Sequence, residues 1–287
     1  EWSPMGSGMN GPVLALITLP SGDLIAGGNF TRAGAATAYD VARWNGTAWS
    51  ALSSVVSTHI VLALATTPSG DLITGGSAGS AGFVSRWNGT AWSNLGYGIN
   101  GPVLALATTS SGDIVAGGYF VFAGAFFANN IARWNGTEWV TMGLGLNGEV
   151  DALATLPNGD VVAGGAFSGS GSIAATDIAR WDGTAWSPLG SGMNGAVYTL
   201  TTRTSGELIA GGAFTSAGGV ASARAARYGS LALCATDFDC SGTLEVQDIF
   251  DFLNAWFAND PRADFNATDG ITVQDIFDYL NAWFAGC

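Results

Sequence analysis

Arg43-Trp44-Asn45-Gly46-Thr47-Ala48-Trp49-Ser50 returns as Arg86 to Ser93, as Arg133-Trp134-Asn135-Gly136-Thr137-Glu138-Trp139, and as Arg180-Trp181-Asp182-Gly183-Thr184-Ala185-Trp186-Ser187. Asn-Gly or Asp-Gly between two aromatic runs signals a hairpin, because both central residues of a type I′ turn need positive φ. Each copy therefore predicts strand, turn, strand. A repeat unit cannot bury its own faces and has to stack on its neighbours, so the copies define an array.

Working outward, an apolar run precedes each hairpin: Val13 to Leu19, Leu62 to Thr67, Val103 to Thr108, Val150 to Leu156, and a fifth at Val197 to Thr202. A turn and a second run follow each, ending in Gly27-Gly28, Gly75-Gly76, Gly117-Gly118, Gly164-Gly165 and Gly211-Gly212. Four strands in about 47 residues is the pattern of a β-propeller blade. Five glycine pairs accompany four whole Trp hairpins, since Arg227-Tyr228-Gly229 stops short of its last strand. Trp2 stands 11 residues before Val13, as Trp139 stands before Val150 and Trp186 before Val197. The prediction is a mainly β fold, a five-bladed β-propeller over residues 1–230, closed by a strand at Glu1 to Met5. Closure would remove exposed strand edges. The same strand inserted into a neighbouring molecule would instead build a filament.

Of 287 residues only 11% are charged, while 43 are Gly and 11 are Trp, which suits short strands and tight turns. The net charge of −13 argues against nucleic acid or an anionic membrane as partner. It is concentrated beyond residue 233, where 10 acidic side chains face a single Arg. A second module is therefore placed at 231–287. No run of 18 apolar residues predicts a membrane span. The sequence opens inside a repeat without a signal peptide, which reads as a processed, secreted form.

The apolar run, glycine pair and spaced aromatics resemble a Kelch-type blade. The wording AGG followed by ARWNGTxWSPLGSGMNG is closer still to secreted bacterial and Rax2-like propeller repeats. The five-residue step from Trp44 to Trp49 departs from Kelch spacing. The resemblance implies a propeller and leaves function open.

In the second module, Val246 to Phe257 repeats as Val273 to Phe284 with an apolar helical period, predicting two amphipathic helices. The loop before the first offers Asp237, Asp239, Ser241, Thr243 and Asp248 around a bend at Gly242, an oxygen spacing that suits Ca²⁺. The second offers Asp264, Asn266, Thr268, Gly270 and Asp275, with its Asp-Gly one place late. The duplicated loop and helix, with Asp at the twelfth position, is similar to a GC-type dockerin. That likeness implies calcium as cofactor and anchoring or assembly at an extracellular cell surface. Cys234 and Cys287 bracket the module, and a disulfide between them would clasp its ends; Cys234 with Cys240 is the rival pairing.

For catalysis the chain is poorly equipped: it has one His, His59, and no nucleophile beside a base. The expected function is a non-enzymatic structural or binding protein with a protein partner or self-association. The alternative is a carbohydrate-active enzyme or lectin. Asp23, Asp71, Asp113, Asp160 and Glu207 precede the second strands and Arg43, Arg86, Arg133, Arg180 and Arg227 end the third, predicting five equivalent ion pairs. A partner surface is sought where blades differ. Blade three alone carries Tyr119, Phe120, Phe122, Phe126 and Phe127, and Trp2 is the remaining interface candidate.

Overall fold

The computed structural model describes residues 2–52, 59–96, 98–203, 206–229, 236, 238, 246–258, 260, 263–265 and 270–285. The protein is mainly β, a five-bladed β-propeller with two short helices near its C-terminus. The chain divides into two compact units, Glu1–Thr202 with Ile209–Ala226, and Arg203–Leu208 with Arg227–Cys287.

Blade three shows the plan. Its inner strand Val103–Thr108 pairs antiparallel with Ile114–Gly118, then Ile131–Trp134, then the outer strand Trp139–Thr141. Blades one, two and four have the same order, and blade five contributes Val197–Thr202, Leu208–Gly212 and Ala225–Tyr228. Inner strands pack side by side in chain order, Val13–Thr18, Ile60–Thr66, Val103–Thr108, Glu149–Thr155 and Val197–Thr202. Among the described residues no comparable packing joins the last of these back to the first.

The glycine pair has a separate cause at each position. A Cβ on the first glycine would strike the next blade's inner strand: at Gly27 it would lie 2.5 Å from Val61 Cγ1, and at Gly117 it would lie 2.5 Å from Val150 Cγ1. A Cβ on the second would strike a carbonyl at the head of the blade's own inner strand, such as Pro102 O at Gly118, just before Val103. Four inner strands carry a bulge at that approach, in blade three between Val103 and Ala105. Blades thus stack through a Val knob set into a glycine gap, and the apolar core lies between sheets. Val103, Ile114, Phe120 and Trp139 share one such layer; Val150, Val161, Phe167 and Trp186 share the next.

The hairpins form, with a different turn. Trp44 pairs with Trp49, leaving a four-residue loop in which Gly46 has φ 94° and Asn45 does not reach positive φ. Asn45 Oδ1 instead accepts from Thr47 N, Thr47 Oγ1 and Ala48 N, at 3.0, 2.9 and 2.9 Å. A side chain that replaces backbone in the turn removes the need for type I′ geometry. The paired indoles lie 5.3 to 5.6 Å apart in all four copies.

The expected N-terminal strand is not formed among the described residues. Residues 2–5 are irregular, Trp2 is fully exposed, and Met5 O accepts the Trp49 indole N–H at 2.9 Å. That bond and the Met9–Ala33 bridge hold the segment on blade one. It sits where a preceding blade would end, since Trp139 donates to Leu95 O and Trp186 to Met142 O in the same way.

In the second unit, α1 (Val246–Phe257) and α2 (Val273–Ala285) enclose a small core. Phe252 stacks on Tyr279 at 4.0 Å, and both are fully buried. Trp256 Nε1 donates to Thr272 O at 2.8 Å and Tyr279 Oη to Thr236 O at 2.7 Å. Phe257 and Phe284, counted on the apolar helical faces, are instead exposed. No described helix is long and apolar enough to cross a membrane.

Candidate functional site

All five Arg–carboxylate pairs form: Arg43 with Asp23 at 2.5 Å, Arg86 with Asp71, Arg133 with Asp113 at 3.3 Å, Arg180 with Asp160, and Arg227 with Glu207 at 2.9 Å. Antiparallel pairing of second and third strands puts the two ends together, so the charges recur once per blade. The Asp23 carboxyl is lowered by the Ser21 hydroxyl and then by Arg43. A cleft of about 320 Å³ between blades one and two is lined by Leu19, Leu52, Trp87, Arg43 and Asp71, the last two already engaged in these pairs.

Blade three departs from the others at its rim. Phe122–Ala123 and Phe126–Phe127 form a small hairpin in which the Phe122 and Phe127 rings meet edge to face at 5.5 Å. Tyr119, Phe122, Phe126 and Phe127 are exposed, whereas blade one has Asn29, Arg32, Ala36 and Thr37 at these places. Phe120 does not belong to this surface. It is 3% exposed because it repeats the core role of Phe30, Phe167 and Phe214. Periodicity alone identifies it as structural.

Blade four departs at its inner strand. The bulged residue there is Asp151, where blades one, two and three have Leu14, Leu62 and Leu104. Burial first, and then Glu149 two residues away, push its carboxyl up to about 6. The sequence reading does not single out this carboxyl, although an acid in a row of leucines is the available signal. Burial also raises Asp40 and Asp177. Asp182 is lowered by the Ala185 and Thr184 N–H groups that its turn supplies. His59 packs on Phe83, their rings 4.7 Å apart.

In the C-terminal unit, Asp248 and Asp275 are fully buried in the first turns of their helices. Asp275 Oδ2 accepts from Thr272 N at 2.7 Å and Thr272 Oγ1 at 3.0 Å, capping α2. Gly270 has φ 78° and supplies a bend. Asp264 Oδ1 is buried with no hydrogen-bond partner among the described residues, an arrangement that fits an oxygen-seeking cation. No group of three or more candidate ligands occurs among the described residues. Asp237, Asp239, Ser241, Thr243, Asn266, Thr268, Cys234, Cys240 and Cys287 lie outside them.

No family profile and no curated protein matches the sequence. Among solved structures the chain is similar to a GH74 enzyme from Niastella koreensis, 16% identical with TM-score 0.52, covering 72% of this chain and 34% of that one. It is also similar to the WD40 β-propeller domain of Doa1, at 15% identity and TM-score 0.45, covering 71% and 62%. A third is YCF48 bound to D1 peptide, at 16% identity and TM-score 0.43, covering 71% and 65%. At these identities the likeness shows the fold alone, and the chain spans less than two thirds of each of these proteins.

Proposed function

We propose that the chain is a secreted, non-enzymatic structural and binding protein of the cell surface, in which a propeller scaffold presents a partner surface. A dockerin-like module, stabilised by calcium, serves in anchoring or assembly. The observation that carries the scaffold reading is the exposed Tyr119, Phe122, Phe126 and Phe127 cluster on blade three, built on a rim where blades one, four and five have no aromatic side chain at the matching places. Exposed aromatics grouped on a rigid hairpin suit partner recognition because little side-chain freedom is lost on contact. The buried, partnerless Asp264 Oδ1 supports the calcium reading, with Asp264 and Asp275 holding the ion and the remaining loop oxygens completing the shell.

Two measurements test this. Cell-envelope fragments sedimented with the protein should retain it, and Phe126→Ser with Phe127→Ser should release it; equal retention would sink the aromatic surface. Chelation should abolish one melting transition, that of the C-terminal unit, and spare the propeller. Identical melts with and without chelator would contradict the metal.

A second reading, a carbohydrate-active enzyme, is favoured by Asp151 and Glu149, a carboxyl held near 6 beside another acid. Release of reducing ends from crude polysaccharides, lost in Asp151→Asn, would support it over the scaffold.

A further inference from the structure

The rim of blade three differs from the others in a hydrogen bond as well as in its rings. In blades one, four and five an asparagine clasps the rim strand. Asn10, Asn147 and Asn194 each accept two backbone N–H groups on Oδ1. Each then donates from Nδ2 to a hydroxyl, that of Thr31, Ser168 or Thr215, at 2.8 Å. Blade three keeps the first half of this clasp, Asn100 Oδ1 accepting from Val121 N at 2.9 Å and Phe122 N at 2.8 Å. The second half is lost, because Val121 stands at the hydroxyl's place. Asn100 is exposed, and among the described residues its Nδ2 has no acceptor, which leaves its two donors to a ligand.

Rings surround that amide. Phe122, whose N–H Asn100 holds, meets Phe127 edge to face at 5.5 Å, and Tyr119 is 67% exposed with a hydroxyl that can donate or accept. Charge is missing: residues 95–102, 119–130 and 139–148, the rim of blade three and the connections on either side, contain no Asp, Glu, Lys or Arg. A polyanion finds no cation here and is repelled by the net charge of −13. Protein partners draw register and encounter rate from opposed charges, and this face offers none. A lipid chain would cover the Asn100 amide without supplying an acceptor, which is costly. A neutral sugar ring fits what remains, with C–H groups for an aromatic surface and hydroxyls for the polar groups at its edge.

We infer that the rim of blade three binds a neutral polysaccharide chain, its sugar rings lying on Phe122 and Phe127 with Tyr119 beside them, and a sugar hydroxyl accepting from Asn100 Nδ2. The inference rests on the reading of this cluster as a partner surface, whose ligand it names.

The test is the migration of the full chain in native gels containing mixed-linkage β-glucan, galactomannan or dextran, with polygalacturonate as the acidic control. At least one neutral polymer should retard the protein and polygalacturonate should not. Phe122→Ser with Phe127→Ser should abolish the retardation. Val121→Thr restores the hydroxyl that Thr31 and Thr215 supply, so it should engage Asn100 Nδ2 and weaken binding about fivefold while leaving every ring in place. Retardation by none of the neutral polymers, equal retardation by polygalacturonate, or full binding by either variant would overturn the inference. Should the double variant not fold, Tyr119→Ser decides, and its unchanged binding counts against the site. Envelope fragments that retain the protein through these rings, with no neutral polymer retarding it, would overturn the polysaccharide and leave the partner surface standing. Retardation in the gels without retention by envelopes does the reverse, upholding the sugar site and sinking the cell-surface role.

Discussion

Replacing Asp151 by Asn should stabilise the protein at neutral pH and leave it unchanged in acid. The native carboxyl titrates at about 6, against an ordinary 3.8, because the inner strand of blade four half-buries it beside Glu149. A folded-state value above the unfolded one means that the native protein holds the proton longer. The contribution of this group to stability is therefore highest below about 3.8, falls as pH rises to about 6, and is flat beyond. The whole interval corresponds to about 3 kcal/mol. Water still reaches the group, so screening reduces this to on the order of 1 kcal/mol. Asn keeps the shape and discards the charge; Leu, as at 62 and 104, should add a further contribution of about 1 kcal/mol from apolar burial. Urea unfolding of wild type and Asp151→Asn at pH 3.5 and pH 7.5 measures the difference. An equal gain at both values, or a loss at pH 7.5, would refute the electrostatic argument.

Two further substitutions follow the repeat. Thr74 Oγ1 is buried with no hydrogen-bond partner among the described residues, where blades one, three, four and five have Ala26, Ala116, Ala163 and Ala210. Thr74→Ala should raise stability by about 1 kcal/mol in denaturant unfolding. Arg224 has φ 66° at the place taken by Asp40, Asn130 and Asp177. Arg224→Asn should remove left-handed strain of about 1 kcal/mol and give Phe214 N–H the acceptor that Asn130 Oδ1 gives Phe120 at 3.1 Å, read as a higher melting temperature.

What period can reveal is legible in the sequence. Blade number, strand order and the five ion pairs follow from residues that recur at matched offsets, such as Asp160 and Arg180. Details decided by contact are hidden. Asn45-Gly46 spells a type I′ turn, yet the Asn45 side chain closes a longer loop. Gly117 and Gly118 look alike in sequence and face different obstacles, one from the next blade and one from their own. The spacing of Trp2 predicts a strand that closes the ring, but residues 2–5 pair with no strand among the described residues. Asp151 stands in plain sight, and its significance depends on knowing which leucines occupy its place in the other blades.

One indole is unlike the rest. Trp49, Trp139 and Trp186 each latch onto a carbonyl of the stretch before them, whereas Trp92 Nε1 is buried with no acceptor among the described residues. In a row of units coupled only to their neighbours, resistance to pulling is set by the poorest coupling. Among the described residues the seam between blades one and two has no such latch. Under tension it is where the row would give first, shedding blade one and leaving blades two to five as a block.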